Sequence, residues 1–293
     1  MKNFILGTDW WTDCDDAVAL RLLTRAAKAG KIRLLGVAIN ACMEYSVASL
    51  QGFLRADGME NVPVGIDLNS SDYGGKALYQ PRLAAEFCPH GSNRDGEDAV
   101  RLYRRLLAEA TEPVEILEIG FLQVIAAVLE SGGDDLSPKT GEELFLEKVR
   151  KVWVMGGRWD IPDGKEHNFS RTPRASKAAH TFCKLCPVPV TFLGWEVGHR
   201  VLTGGLVTEN DHLYHVLRDF GTLKGRDSWD PMLVQLALIG DEQAAGYHAL
   251  TGRAEVDADT GINHFTPDPN GPHAYVIKAQ PDSYYAAQID AVL

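Results

Sequence analysis

Four aspartates, Asp9, Asp13, Asp15 and Asp16, fall within eight residues of one another in the segment GTDWWTDCDDAVAL. Four carboxylates this close repel strongly unless something cancels their charge. A helix N-cap accounts for one or two of them, and solvation for others, but not for all four. A hard divalent cation accounts for the rest, since a set of oxygen-only donors suits calcium or magnesium. No His or Cys pattern stands beside the run, so zinc does not fit. The chemistry open to such a group is the binding of a cation, and through it of a neutral polyol or a water.

The elements that must position this cluster can be read from the alternation of apolar runs and helical patterns. A first strand at residues 4–6 feeds a helix at 15–29, with acids in its first turn and Gly30 as its stop signal. Further strands are expected at residues 32–39, 62–64, 114–119, 149–155 and 188–193, and helices at 46–56, 98–110, 122–129 and 174–184. Such alternation gives an α/β fold with an open, mainly parallel sheet and helices on both faces. With no repeat or linker, residues 1–293 read as a single domain. Ligands in such sheets bind beyond the carboxyl ends of the strands, which singles out the loops near Asp9, Asn40, Gly120, Gly156 and Trp195. The last third is more mixed, with helices at 212–220 and 231–239 and short strands at 254–256 and 275–277 that read as edges or a small hairpin.

The same loops hold Trp10, Trp11, Trp195 and Trp229, which either stack on an aromatic ligand or pack together as a wall. Glu196, beside Trp195, reads either as an acid behind the site or as a surface residue. His90, in PHGSNRDG, is a loop histidine, either solvated or in contact with a ligand. A net charge of -11 disfavours nucleic acid and leaves a cation or a neutral small molecule as partner. No apolar run reaches the roughly 18 residues of a membrane span. Only about four apolar positions precede Asp9, too few for a signal-peptide core. A soluble cytoplasmic protein with no membrane partner is the expectation. The five cysteines are odd in number and scattered, which argues against a disulfide framework. The CxxC of Cys183 and Cys186 is a weak zinc or redox signal and reads more simply as buried thiols at a helix end.

The aspartate segment and its surroundings resemble the nucleoside hydrolase (nucleoside N-ribohydrolase) family, the inosine-uridine-preferring enzymes among them. One branch opens with a pattern like DTDxGxDxDDAxAL, which Thr8, Asp9, Asp13, Asp15, Asp16, Ala17, Ala19 and Leu20 fit. The likeness recurs in order over about residues 3 to 240. IRLLGVAINA is similar to the second strand and its loop, EIGFLQVIAAVL to TGPLTNIA, VMGGRW followed by EHNF to MGG...EFN, and SWDPMLVQLAL to HDPLAVAYLL; TFLGWEVGHRVLTG also looks like a segment of the same branch. There are departures. Gly7 stands where the family usually has Asp, Trp11 where it has Gly, and Trp229 where some members have a His. Met43 falls about where a ribose-contacting Asn is frequent, and Asn40 is the nearby substitute. The strand–loop acid also resembles that of haloacid dehalogenase phosphatases, but those need an aspartate two residues after the nucleophile, where Trp11 stands here.

The resemblance implies a nucleoside hydrolase-like fold, a calcium ion and hydrolysis of ribonucleosides to ribose and free base in purine or pyrimidine salvage, by a homodimer or homotetramer. It implies Asp9 as general base and ligand, with Asp16, Asp230 and the backbone carbonyl of Gln123 as further ligands. Asp13 is extra and is either a ligand or a helix cap. Asp15, Asn40, Glu166 and Asn168 would hold the ribose; Trp195, Glu196 and Trp229 would lie on the substrate side. The reaction passes through an oxocarbenium-like sugar, so a water must lose a proton, the sugar must be held, and the departing base must be stabilised. Two other readings stand beside this one: a non-catalytic relative that binds metal and a nucleoside or ribose, and a hydrolase of another riboside.

Overall fold

The computed structural model describes residues 1–293. Strand β1 (Lys2–Thr8) runs into α1 (Asp15–Lys28), β2 (Ile32–Ile39) into α2 (Ser46–Ala56), and β3 (Val64–Ile66) into α3 (Gln80–Phe87). A two-residue β4 (Glu97–Asp98) precedes α4 (Ala99–Glu109), and β5 (Val114–Glu118) precedes α5 (Gln123–Glu130) and α6 (Gly141–Lys148). Next come β6 (Val149–Met155), β7 (Gly164–Lys165), α7 (His167–Ser170), α8 (Pro173–Leu185), β8 (Val190–Leu193) and α9 (Trp195–Gly198). Strands β9 (Leu202–Thr203) and β10 (Arg226–Asp227) flank α10 (His212–Phe220), and α11 (Trp229–Ile239) follows. The last elements are β11 (Tyr247–Val256), β12 (Ile262–Pro267), β13 (His273–Lys278) and α12 (Asp282–Asp290).

Eleven strands form one sheet in the order β4-β3-β2-β1-β5-β6-β8-β13-β11-β12-β7, while β9 and β10 pair separately. Pairing is parallel from β4 through β13 and antiparallel from β11 to β7. Because side chains alternate across a strand, each central strand feeds two cores. Phe4, Leu6, Trp153 and Met155 face the core made with α1, α2 and α11, whereas Ile5, Val152 and Val154 face the core of α4, α5 and α8. Each large side chain so enclosed contributes roughly 1.5–3 kcal/mol. Helix α1 follows from its sequence: Asp15 and Asp16 sit in its first turn and Arg25 and Lys28 in its last, in favour with the helix dipole. Its Ala17, Val18, Leu20, Leu22 and Leu23 are all buried.

Most expected elements are present, some shifted. The third strand begins after Pro63 rather than including it; Pro63 has no N–H to give a ladder, although its carbonyl accepts from Val37 N at 3.0 Å. Helices α3, α6, α7, α9 and α12 lie outside the expected set. Helix α6 carries a full capping box between Thr140 and Glu143 but buries only Leu144 and Phe145 as apolar side chains, so its hydrophobic period is faint. The C-terminal strands do not make a separate hairpin. β13 lies parallel to β8, and β11 and β12 extend the sheet until β12 pairs with β7, directly before Glu166. Cys183 and Cys186, at the end of α8, are free thiols buried beside Phe182 and Val188. No helix is long and apolar enough to cross a membrane.

Candidate active site

A cavity of about 250 Å³ opens at the carboxyl ends of the central strands. The loop after β1 and the start of α1 supply Asp9, Trp11, Thr12, Asp13, Asp15 and Asp16. Ile119 follows β5, Met155 ends β6, Glu166, His167 and Asn168 follow β7, and Trp195 follows β8. Arg226, Trp229 and Asp230 close the ring from β10 and the start of α11.

The turn after β1 is set by Trp10. Its backbone adopts φ 42°, a left-handed value costly for a bulky residue. The surroundings hold it there: Trp10 N donates to Thr8 Oγ1 at 3.1 Å and Asp16 Oδ1 at 3.2 Å, and its indole donates to Ser49 Oγ at 2.9 Å between the edges of Phe53 and Tyr79. Trp10 is therefore a core residue and faces away from the cavity, unlike Trp11, Trp195 and Trp229. The reversal turns Asp9 inward, where its Oδ1 accepts from Trp11 N at 3.2 Å.

Oxygens of Asp15, Asp16 and Asp230 all lie within 4.8 Å of one another, and all three residues are buried. Asp15 and Asp16 occupy the first turn of α1, and Asp230 that of α11, so two helix dipoles favour negative charge here. The two helix ends are joined where Asp230 N donates to Asp15 Oδ2 at 3.2 Å. Asp16 also accepts the Thr8 hydroxyl. Burial, and then mutual repulsion, raise the Asp15, Asp16 and Asp230 carboxyls well above the usual range, although backbone N–H donors to Asp15 and Asp16 oppose the shift. Asp9 is pushed up to about 8 by burial and by Asp15 and Asp13. No basic side chain enters the triad; Arg226 is engaged elsewhere. The donor set fits a hard divalent cation, because oxygens on opposite sides of an ion at about 2.4 Å lie no more than about 4.8 Å apart.

Asp15, expected against a ribose hydroxyl, is in the closest carboxylate triad; Asp9, expected in that shell, lines the same cavity outside the triad. Asp13 also lines the cavity, but its two oxygens face the Arg226 guanidinium at 2.9 and 2.6 Å, and α1 has no side-chain cap. Glu166 is buried, with Oε2 accepting from Gly157 N at 3.1 Å and Oε1 from Asn168 N at 2.8 Å. Burial pushes its carboxyl up to about 7 against these donors. Asn168 Nδ2 donates to Met155 O at 3.2 Å. The Trp229 indole donates to Trp195 O at 2.7 Å, and the two rings stack at 6.5 Å.

Five residues singled out in the sequence, Asn40, Gln123, Glu196, Met43 and His90, do not line the cavity. Asn40 is fully buried behind Asp9, with Oδ1 accepting from Phe121 N at 3.0 Å and Nδ2 without a partner. Gln123 opens α5; its amide reaches back to Asn40 O and its Oε1 accepts from the Tyr73 hydroxyl, and Ile119 is the residue of that segment at the cavity. Glu196 follows Trp195 by one step of a helical turn and so points elsewhere, accepting from Trp159 N at 3.3 Å; burial pushes it up to about 7. Met43 packs behind Trp11 with Tyr73 and Phe121. His90 is exposed and away from the cavity.

The sequence reading missed Thr12, His167 and Arg226. Arg226 meets Asp13 across 213 residues of chain, a pairing no local pattern reveals. His167 stood in plain view in EHNF, but a polar residue in a loop has the same appearance whether solvated or functional. Glu118, also missed, explains Gly7. The two are register partners on β5 and β1, and a Cβ at position 7 would collide with the Glu118 carboxyl group. That group is fully buried, accepts the Tyr103 hydroxyl, and is pushed up to about 8 by burial.

No protein-family model matches the chain, and no curated protein matches it by sequence. Solved structures do match in shape. A plant nucleoside hydrolase superposes with a TM-score of 0.73 at 16% identity, covering 99% of this chain and 98% of its own. The purine-preferring ribonucleoside hydrolase of Gardnerella vaginalis gives 0.72 at 19%, covering 99% of each chain. The type III effector protein XopQ, complexed with adenosine diphosphate ribose, gives 0.69 at 15%, covering 99% of this chain and 93% of its own. With its mainly parallel sheet and its cavity at the strand ends, the chain has the fold of the nucleoside hydrolases.

Proposed function

We propose that the chain is a divergent nucleoside hydrolase that uses calcium to cleave the N-glycosidic bond of a ribonucleoside, giving ribose and the free base. The observation that carries this reading is the buried carboxylate cluster at a cavity that also receives Glu166 and Asn168. Asp15, Asp16 and Asp230 would hold the cation, with Asp9 at its side. When bound, calcium would supply a grip on the sugar's diol and would lower the pKa of the attacking water. Asp9 takes the proton from that water, a role suited to a carboxylate within hydrogen-bond reach. Glu166 and Asn168, fixed by their bonds to Gly157, Met155 and each other, orient the 5' side of the sugar. Trp11, Trp195 and Trp229 exclude bulk water and offer aromatic faces to the base. The family resemblance carries purine or pyrimidine salvage in the cytoplasm and a homodimeric or homotetrameric assembly with it.

The test is release of reducing sugar from a panel including inosine, uridine, adenosine and cytidine with calcium present. Activity is expected in the unmodified chain, with a fall of about 10²–10⁴-fold in Asp9→Asn. Failure to release ribose from every member of the panel overturns the reading. The likeness to an effector complexed with adenosine diphosphate ribose favours a second reading, a binder without turnover; calorimetry showing tight nucleoside or ADP-ribose binding with no product would establish it.

A further inference from the structure

Cleavage leaves an electron pair on a ring nitrogen of the departing base, and that nitrogen is a poor leaving group unless it gains a proton. The polar end of the cavity is acidic and suited to the sugar, so the base lies toward the aromatic residues Trp11, His167, Trp195 and Trp229. Most N–H groups there are already engaged. The Trp11 indole donates to Gly74 O at 2.6 Å, the Trp229 indole to Trp195 O at 2.7 Å, and Arg226 to Asp13. The Asn168 amide is turned to Met155 O, and both Glu166 oxygens accept backbone N–H groups. A Trp195 indole or a Thr12 hydroxyl does not give up a proton near neutral pH.

His167 differs from all of these. Its ring lines the cavity on an exposed residue, so that its nitrogens face the open space and neither bonds to another protein group. The ring is nonetheless held in place, stacked on Trp11 at 5.8 Å and 28° and tilted against Phe121 at 5.8 Å. We propose that His167 is the proton donor to the leaving base, a catalytic role that deepens the hydrolase reading and rests on it. The C1'–N bond breaks with its electron pair moving to the base nitrogen, which takes the proton of the His167 imidazolium. The attacking water bonds to C1' and gives its proton to Asp9. Solvent then returns a proton from Asp9 to His167, so one water is consumed and both side chains are restored.

The charged groups around His167 are Asp13 from the loop after β1, Arg171 at the end of α7, and its neighbour Glu166; Tyr73 lies behind Phe121. Burial and then Arg171 hold the imidazole below its usual range, with Asp13 opposing. The imidazolium fraction therefore grows as the pH falls below neutrality, and the ratio of nucleoside to nitrophenyl riboside activity, from which the shared need for the Asp9 base cancels, rises with it.

The experiment compares nucleosides with 4-nitrophenyl β-D-ribofuranoside, whose leaving group needs no proton. In His167→Phe, which keeps the aromatic stack, kcat on inosine or uridine is expected to fall about 100-fold, and the rise of the nucleoside-to-nitrophenyl ratio at low pH is expected to disappear. Nitrophenolate release is expected to fall less than threefold and serves as the folding control. His167→Gln, which donates a hydrogen bond but no proton, is expected to show the same split. An equal loss on both substrates, or no loss on either, overturns the assignment and leaves the hydrolase reading intact. Absence of both activities from the unmodified chain overturns the hydrolase reading, and the assignment with it.

Discussion

Glu118 sits inside the sheet with one oxygen facing the Tyr103 hydroxyl and the other unpartnered. With its carboxyl at about 8, it is mostly protonated at neutral pH. A carboxyl raised on folding contributes stability that is full below its unfolded value, about 4.3, and lost as the pH rises through about 8. Glu118→Gln keeps the shape without the titration. It is expected to cost less than about 1 kcal/mol at pH 6 and to be more stable than the parent at pH 9, read by urea denaturation at the two pH values. A variant whose stability falls between those pH values as steeply as the parent's would refute this account. The pair also accounts for the most conspicuous motif departure, because the space of a side chain at position 7 is filled from the neighbouring strand. The aspartate run was legible because it is local, lying where one strand meets one helix. The partner of Asp13 and the filler of Gly7 were not, because β-pairing and loop closure bring them from far along the chain.

At the level of elements, the loop between β6 and α7 needs fixing, since it ends in Glu166. Asn263, on β12, is buried and bonds both backbone groups of Arg158, accepting from its N at 2.9 Å and donating to its O at 2.8 Å. Two residue pairs, Ile262 with Lys165 and Asn263 with Gly164, complete the clamp. Asn263→Ala removes both bonds and strands two backbone groups, so a loss of about 2–3 kcal/mol is expected. The accompanying readout is faster hydrogen exchange at the Gly157 and Arg158 amides; unchanged exchange there would show that the loop is held by other means. Such an element escapes sequence reading. β12 offers Ile262 and Phe265 among polar neighbours, and β7 has two residues, so neither shows an apolar run. The central strands were legible for the opposite reason, being enclosed on both faces and apolar throughout.

For the whole molecule, the carboxylate cluster couples folding to pH and, through the proposed site, to a cation. Asp9, Asp15, Asp16 and Asp230 all have raised carboxyls. Their contribution to stability is therefore full at low pH and declines as the pH rises above about 4, that of Asp9 through about 8. A cation bound to the folded state alone stabilises it by about 2.7 kcal/mol at a hundredfold excess over Kd. Melting in chelator is expected to drop from pH 5 to pH 8, and calcium is expected to raise Tm more at pH 8 than at pH 5. A calcium shift that is equal at both pH values, or absent, would sever the cluster from cation binding.

The clamp on Glu166 has a consequence for biosynthesis. A ribosome delivers residues in order, and by the time Gly240 has emerged every carboxylate of the cation cluster exists. Strand β12, which ties down the wall opposite that cluster, has still to be made. The bonds that fix the Glu166 loop therefore form only after the residues of the carboxylate cluster have all been made, although the two stand on facing walls of one cavity.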